Sequence, residues 1–404
     1  MINKLEISNF KLHDHTKIEV GGLTIFTGMN GMGKSSIIQS LLLLRQSFFM
    51  NDLESGLNLK GDLCDLGISG ELACQSSKEH SLRLEMNFDD QPHLNYTFNY
   101  PDDILDTFLL GDKNNVVDKN TLSAYSLFND KFQYLSAFRF GPQKSYNRDT
   151  SLVVTKKQIS KIMGQCEYAI HYLEQYKNEQ IPLTKLGIEA DGEVTKDYRL
   201  SVQVERWMRK ISPNIKINIE QSGEDFRLKY KFNREENTIT EEVSALNTGF
   251  GITYVLPILI AVLSASKGAL IIIENPEAHI HPKGQAVLME LIAKAVKNGV
   301  QIIIESHSDH IINGSLVAVN KGWIPSHLLS IYYFERDEHE HTAISHHLEI
   351  TPTGCIKRPP QGFFDQIDID LKILTDKPAG VKLAGCHAKV QAPGFHKCGS
   401  CFLM

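Results

Sequence analysis

The chain has 404 residues, enough for one large domain or two small ones. With 42% hydrophobic and 22% charged residues, it has the composition of an ordinary globular protein. Its formal net charge of −6 argues against a protein that binds nucleic acid through its overall charge. A local basic groove is compatible with this net charge. Because no window approaches about 18 uninterrupted apolar residues and no apolar run follows the first methionine, we expect neither a membrane span nor a signal peptide.

Seven cysteines are spread over the chain. Their odd number and wide spacing predict reduced thiols in a cytoplasmic protein. Near the C-terminus, Cys386, His396, Cys398 and Cys401 include a C-x2-C spacing that can supply four zinc ligands. Chain ends often remain unstructured, so zinc binding and a plain tail both stay open.

The first third of the sequence alternates between short apolar runs and turns. It predicts three strands, then a glycine-rich loop and an amphipathic helix. Alternating runs farther on predict antiparallel strands, followed by a polar surface insertion. The segments are strands 4–8, 16–20 and 23–27, a helix at 35–47, antiparallel strands within 57–100 and an insertion at 101–131.

The middle of the chain carries two helical patterns and two strand patterns. Neither helix is long enough for an extended coiled-coil arm, and no heptad pattern persists over three or four repeats. The predicted segments are helices at 156–178 and 198–211 and strands at 215–220 and 226–232.

The region 246–350 alternates between apolar strands and helices. Strands that are apolar on both faces predict an α/β fold whose parallel or mixed sheet is covered on both sides. The segments are helices at 252–264 and 284–297 and strands at 269–273 and 300–304.

The strongest motif is residues 28–35, which match G-x-x-x-x-G-K-[ST] at every fixed position. A strand precedes it and a helix follows, as a phosphate-binding P-loop requires. Glycines let successive N–H groups turn inward, and the helix N-terminus adds partial positive charge. Lys34 would reach the β- and γ-phosphates and Ser35 would contact Mg²⁺; the plain alternative is a glycine-rich turn. The predicted nucleotide-binding residues are Gly28, Asn30, Gly31, Gly33, Lys34, Ser35 and Ser36.

Three further patterns follow or precede apolar segments. Glu274 ends an apolar strand, where a parallel sheet holds a phosphate-bound metal, and His307 follows the next strand. Before the helix at 252, a loop with two glycines offers a second anion site at a helix N-terminus. Each pattern alone also fits ordinary strand ends and loops. The loop residues singled out are Asn247, Gly249 and Gly251.

Together these motifs resemble an ABC-type ATPase head of the RecF/SMC-like superfamily. The opening residues 7–11, the string Glu-Asn-Pro-Glu-Ala-His-Ile-His-Pro at 274–282 and Ser-His-Ser-Asp at 306–309 resemble the stand-alone bacterial ATPases near the overcoming-lysogenisation-defect group. That group includes ATPase subunits of antiphage systems such as Septu, and a Gly-Phe-Phe-Asp tail at 362–365 fits one subgroup.

The resemblance implies a mixed sheet flanked by helices, with a short helical insertion in place of a coiled-coil arm. Residues 1–150 would form the first part of the head and 241–350 the second. Residues 151–240 would be a lid or a partner-docking surface, and 351–404 a tail.

The resemblance also implies ATP and Mg²⁺ as cofactors and a homodimer that holds two ATP molecules between its heads. Each ATP would touch the P-loop of one subunit and residues 247–251 of the other. Gln143 is the candidate for a glutamine that touches Mg²⁺ or water, while Arg139 competes for a phosphate role. Glu274 would hold Mg²⁺ with Ser35.

The sequence departs from the family's usual Asp-Glu-Pro-Glu. Asn275 occupies the position that normally polarises the attacking water, and an amide cannot take a proton. Either Glu277 is the base, or hydrolysis is slow and the protein is an ATP-held switch; a third possibility is that Asn275 orients the water. His307 could hydrogen-bond the γ-phosphate or the attacking water. Loss of a general base typically costs about 10²–10⁴ in rate.

We therefore expect an ATP-driven switch for a partner effector, a nuclease, in cytoplasmic antiphage defence with nucleic acid as trigger or target. One alternative is the nucleotide-binding subunit of a transporter, although Leu-Ser-Gly-Gly-Gln is absent; the other is a slow or non-hydrolysing ATP-dependent scaffold.

The basic clusters at 156–157 and 206–210 fit a nucleic-acid surface or solvated helix faces. The acids Asp365, Asp368 and Asp370 lack the strand and glycine context of a nuclease.

Overall fold

A computed structural model describes residues 1–89, 93–115, 118–189, 196–233, 240–337, 339–360, 362–363 and 366–375. The zinc candidates at 386–401 and Asp365 lie outside this range. Within it, no helix combines the length and apolarity needed to cross a membrane.

The described chain forms a strand-rich α/β structure. The strands are β1 (Ile2–Phe10), β2 (His13–Glu19), β3 (Leu23–Gly28), β4 (Gly56–Asn58), β5 (Ser81–Phe88), β6 (His93–Asn99), β7 (Phe108–Gly111), β8 (Phe132–Leu135), β9 (Ile215–Ser222), β10 (Asp225–Phe232), β11 (Val243–Ser244), β12 (Leu270–Glu274), β13 (Gln301–Glu305), β14 (Leu329–Arg336), β15 (Ala343–Ile350) and β16 (Ile356–Lys357). The α-helices are α1 (Lys34–Phe49), α2 (Lys119–Ser123), α3 (Ala169–Tyr176), α4 (Leu200–Ile211), α5 (Phe250–Ser264), α6 (Pro282–Lys297), α7 (Asp309–Asn320) and α8 (Gln366–Thr375).

A seven-stranded mixed sheet confirms the predicted α/β fold class. Its order is β16-β15-β14-β3-β13-β12-β8, and the five strands from β14 to β8 run parallel. Along β12, Ile271 and Ile273 pack into one core while Leu270 and Ile272 pack into the other. Since side chains alternate across a strand, an unbroken apolar run buries both faces of the sheet.

Helix α1 lies in the core between this sheet and a six-stranded antiparallel sheet of order β2-β1-β5-β6-β7-β4. Most apolar residues of α1 are buried between the two sheets, and Leu41, Leu42, Leu43 and Leu44 are each at most 1% exposed. The surface insertion expected at 101–131 is partly wrong. Strand β7 pairs between β6 and β4, and Leu109 is fully buried, because its short apolar run completes the sheet.

The other face of the mixed sheet is covered by α3 to α7, together with a three-stranded sheet of order β11-β10-β9. The helix predicted at 156–178 is largely wrong. Only α3 is an α-helix there, because Lys157, Met163 and Cys166 adopt left-handed φ values of 51°, 47° and 59° that an α-helix does not accommodate. The predicted bounds of α1, α4, α5 and α6 differ by no more than two residues from those observed.

Candidate functional site

Three elements predicted to carry chemistry end at one edge of the mixed sheet. Strand β13 lies between β3, which leads into the P-loop, and β12, which ends at Glu274. In the parallel registers, Glu305 pairs with Glu274 on one side and with Phe26 on the other. The P-loop and Glu274 are therefore one strand apart at the carboxyl ends of the strands, where α/β proteins bind their ligands.

The P-loop backbone depends on its glycines. Gly28 and Gly33 have φ values of 127° and 92°, which side-chain-bearing residues rarely adopt. A Cβ on Gly28 would lie 2.2 Å from the carbonyl oxygen of Phe334, so this strand end tolerates no side chain. Gly31 has a φ of 74° with open space around it, at the tip of the loop, before α1 begins at Lys34.

Lys34 lies under the loop that it is predicted to serve. It is 3% exposed, and its ammonium group donates to the carbonyl oxygens of Gly28 (2.9 Å) and Met29 (2.5 Å). Burial lowers the pKa of Lys34, while the nearby Glu305 carboxylate opposes that shift. Because both acceptors are loop carbonyls, a phosphate oxygen can replace either of them as a partner of the ammonium group.

Glu305 is the site residue that the sequence analysis missed. Ser35 Oγ donates to Glu305 Oε1 at 2.9 Å, and Glu305 is 6% exposed. Burial, followed by the neighbouring Glu274 charge, raises the pKa of Glu305 to about 7. A signal was available, because Glu305 ends an apolar strand in the same way as Glu274.

Glu274 is held in place at both carboxylate oxygens. The Tyr134 hydroxyl donates to Oε1 at 3.0 Å, and the Ala137 N–H donates to Oε2 at 3.1 Å. Burial raises the pKa of Glu274, while these hydrogen bonds and the nearby Arg139 favour its charged form. The carboxylate is thus oriented by the end of β8.

Arg139, the candidate for a phosphate role, is buried against the turn after β12. Its guanidinium group donates to the carbonyl oxygens of Glu274 (2.6 Å) and Asn275 (3.0 Å) and lies 4.4 Å from the ring centroid of Tyr254. Its Nε is buried and has no partner among the described residues. These contacts fix the turn after β12, where Asn275 has a left-handed φ of 44°.

Glu277 and His307 meet beside the P-loop. The backbone N–H of His307 donates to Glu277 Oε1 at 2.9 Å, whereas Glu277 Oε2 is buried without a partner in the described part of the chain. Partial burial, followed by the Lys34 charge, lowers the pKa of His307, which also hydrogen-bonds the Gly28 backbone. The structure therefore places both residues next to the phosphate-binding loop.

The predicted second anion loop lies at the start of α5. Asn247 is exposed, and Gly249 precedes the first residue of the helix; a Cβ added there would meet no described atom within 4 Å. Gly251 has no such room, because its Cβ would lie 2.0 Å from the carbonyl oxygen of His279. The ring of His279 also contacts that of Phe250, with centroids 4.6 Å apart, which ties this loop to the turn after β12.

Gln143 lies on an exposed loop beyond β8. Its backbone N–H donates to the Tyr146 hydroxyl at 3.2 Å, and its side chain is exposed. In the described part of the chain, no hydrogen bond joins it to Ser35 or Glu274. Its predicted contact with Mg²⁺ or water stays a prediction.

The basic cluster at 206–210 is engaged within the fold. Arg206 donates to the Ile188 carbonyl at 2.7 Å, Arg209 to Glu205 at 2.5 Å, and Lys210 to Glu290. These partners offset the charge that a nucleic-acid surface would need.

The donor set at the sheet edge suits a hard cation bound with phosphates. Mg²⁺ is usually held by one or two carboxylates and substrate phosphates, with water completing the shell. Glu274, Glu305 and the Ser35 hydroxyl provide such oxygens. Among the described residues, Glu305 Oε2 is buried without a hydrogen-bond partner, so it is available to bind a cation. Over the same described ranges, no group of three or more His, Cys, Asp or Glu side chains is arranged to hold a metal by itself.

Comparison with protein families gives two matches. A family described as AAA ATPase domain matches residues 1–312, and one described as a protein of unknown function matches residues 324–374. No curated protein matches the chain.

Solved structures with a similar fold include SMC heads. An SMC head bound to the C-winged helix domain of ScpA aligns with a TM-score of 0.51 and 14% identity, over 86% of this chain and 98% of that one. A Pyrococcus furiosus Smc head with an extended coiled coil, bound to the C-terminal domain of ScpA, aligns with a TM-score of 0.49 and 14% identity, over 92% of this chain and 98% of that one. The first of these matches shows that the fold is that of an SMC head.

Proposed function

This chain belongs to the AAA ATPase domain family, and we propose that it binds Mg²⁺–ATP at the carboxyl edge of the mixed sheet and hydrolyses it. The observation that carries the proposal is the contact between Ser35 and Glu305. It joins the P-loop directly to the strand beside Glu274, although the two residues are 270 positions apart in sequence.

The residues at the site suggest how hydrolysis would proceed. The inward N–H groups of the P-loop and Lys34 would bind the phosphates, and Mg²⁺ would supply charge stabilisation at the β- and γ-oxygens. Glu277 has one oxygen fixed by the His307 N–H and one without a partner among the described residues, so it is the better placed base. Asn275 would orient the attacking water, since an amide donates and accepts but holds no additional proton.

We also propose that ATP joins two heads into a homodimer. Exposed apolar side chains lie on loops and at the start of α5, near the edge of the sheet that bears the site, where a second copy would cover them. Gly249 opens the N-terminus of α5 to an anion brought by the partner. These apolar residues are Met29 (64% exposed), Phe138 (73%), Leu246 (48%) and Phe250 (47%).

The biological setting is proposed from the motif resemblance. The ATPase would act in the cytoplasm, in antiphage defence, and would switch a partner effector that is a nuclease. Nucleic acid would be the trigger or the target. The similar SMC head is bound to a domain of ScpA, which supports the idea that this fold also presents a surface to a partner protein.

A slow, ATP-held scaffold is the second candidate function. The observation that favours it is Asn275 at the position where a glutamate usually activates water. Phosphate release measured with and without DNA separates the two, because a switch would turn over many ATP molecules per hour and a scaffold would turn over almost none.

Removing the P-loop lysine tests nucleotide binding. We expect Lys34→Ala to abolish ATP binding, because the ammonium group offsets phosphate charge inside a buried loop. Calorimetric titration with ATP measures this. Lys177→Ala removes a lysine from a surface ion pair with Glu174 and should bind ATP like the wild type. Micromolar ATP affinity in Lys34→Ala would contradict the site.

Neutralising the proposed base tests hydrolysis and dimerisation together. We expect Glu277→Gln to bind ATP but to lose about 10²–10⁴ in rate, and thus to accumulate as an ATP-bound dimer. Size-exclusion chromatography with light scattering measures the dimer, and phosphate release measures the rate. An unchanged rate would place the base at another residue.

A further inference from the structure

Glu305 ends β13 directly under the start of α1. Its Oε1 accepts the Ser35 hydroxyl at 2.9 Å, and the residue is 6% exposed. Its Oε2 is buried and has no hydrogen-bond partner within the described ranges of the chain. A buried carboxylate oxygen without a partner is costly, so its retention next to the P-loop calls for a ligand.

The neighbouring Glu274 is in a different situation. Each of its two oxygens already accepts a hydrogen bond, from the Tyr134 hydroxyl and from the Ala137 N–H. Glu274 is therefore held by protein groups at both oxygens, whereas Glu305 is held by Ser35 at Oε1 and keeps Oε2 without a partner among the described residues. Of the two carboxylates, Glu305 has the more direct link to the P-loop hydroxyl.

The charges around this point also favour a cation. Glu274 and Glu305 are paired in register on adjacent parallel strands, and both act on the same pocket as Glu277. Lys34 is a nearby cation that partly offsets the negative charge at Glu305. A divalent cation would offset the repulsion between the neighbouring carboxylates.

We infer that Glu305 is a carboxylate of the magnesium site, in addition to Glu274. Ser35 and Glu305 would face the same ion, because their oxygens already lie within hydrogen-bonding distance. The inference rests on the proposed function, since the ion would arrive with the nucleotide. It assigns the end of β13 a role in metal binding that the family motifs place on β12 alone.

The first test compares ATP binding in EDTA with binding in Mg²⁺. Glu305→Gln keeps the shape of the side chain and removes its charge. We expect its ATP affinity in EDTA to equal or exceed that of the wild type, while the gain in affinity on adding Mg²⁺ falls about 10–100-fold, as for other residues that support a metal. Glu349→Gln, on the exposed part of β15, is the control and should retain the full gain.

The second readout follows the metal directly. Mn²⁺ in place of Mg²⁺ gives an electron paramagnetic resonance signal whose free fraction reports metal binding in the presence of ATP. We expect Glu305→Gln to leave more Mn²⁺ free than the wild type at equal ATP occupancy. The same Mn²⁺ affinity in both proteins would overturn the inference.

A wild-type measurement covers the case in which Glu305→Gln fails to fold. Fe²⁺ bound in place of Mg²⁺, with ascorbate and peroxide, cuts the backbone beside the metal, and mass spectrometry locates the cuts. Cleavage near residues 305, 274 and 35 supports the inference, and cleavage near 274 and 35 without 305 overturns it. Failure of the wild type to bind ATP in either buffer would instead reject the proposed function.

Discussion

His13 shows how one buried side chain supports the P-loop. Its Nε2 contacts the Gly33 carbonyl oxygen and its Nδ1 contacts the Thr16 hydroxyl, both at 2.9 Å. Because a carbonyl oxygen only accepts, Nε2 carries the hydrogen and Nδ1 accepts from Thr16. Burial lowers the pKa of His13 to about 4, so the neutral ring that this arrangement needs persists well below neutral pH.

His13 should make folding stability depend on acidity. Its folded pKa, about 4, lies below the unfolded value of 6.5, so the unfolded chain takes up a proton first. The contribution of the neutral His13 ring to the free energy of unfolding is complete above pH 6.5. It is lost as the pH falls towards 4, at about 1.4 kcal/mol per pH unit. Denaturant unfolding at several pH values should show a shallower acid loss in His13→Gln, whose amide can still donate to Gly33. Equal pH slopes in the two proteins would argue against the buried neutral ring.

At the scale of elements, two turns at the sheet edge act as one unit. The start of α5 packs on the turn after β12 through Gly251 and His279, and Arg139 clamps that same turn from the end of β8. Tyr254 of α5 connects these segments, because its hydroxyl donates to the Ala137 carbonyl and its ring packs against the Arg139 guanidinium group. A movement of α5 on dimerisation would therefore be transmitted to Glu274 and Asn275.

The two glycines at the start of α5 provide a matched test of this packing. A Cβ on Gly251 would lie 2.0 Å from a backbone oxygen, so Gly251→Ala forces a shift and should lower the free energy of unfolding by about 1–3 kcal/mol. Gly249→Ala meets open space at an ordinary φ of −53° and should cost only the difference between Gly and Ala at a helix N-cap, about 0.5–1 kcal/mol. Denaturant titration measures both. Equal stability of the two variants would show that the turns do not pack as described.

At the scale of the whole molecule, the parallel strands place the P-loop, Glu274 and Glu305, which are proposed to bind the nucleotide and its metal, at one edge. The second sheet and α1 cover one face of the mixed sheet, and α3 to α7 cover the other, so its strand ends remain accessible. Phe138 follows β8 at this edge and is 73% exposed. An apolar ring so exposed beside a proposed ligand site fits a surface that is covered only when two heads meet.

Phe138 therefore tests the dimer without disturbing the fold. We expect Phe138→Ser to retain monomer stability and ATP binding while weakening ATP-dependent dimerisation about 10-fold or more, because an exposed ring contributes little until it is buried. Analytical ultracentrifugation with ATP and Glu277→Gln as the background measures the dimer. Leu110→Ser, 60% exposed on β7 of the other sheet, is the control. Equal loss in both variants would remove the case for a contact at Phe138.

Local patterns were enough to find the elements that meet at the candidate nucleotide site. The spacing of glycine, lysine and serine identified the P-loop, and apolar runs located β12 and β13 with Glu274 at the end of one of them. The sequence also predicted α1, α4, α5 and α6, because their periodicity and boundaries depend on neighbouring residues. These are properties that a short window of sequence contains.

Only the tertiary structure decided which side chains meet. Ser35 and Glu305 are brought together by the pairing of β3 with β13, and Arg139 was assigned to backbone carbonyls by the burial of the loop after β8. The left-handed turns at 157–166 and the pairing of β7 likewise depend on packing against distant segments. The physical reason is that strand register and desolvation are set by contacts far apart in sequence, which no local period encodes.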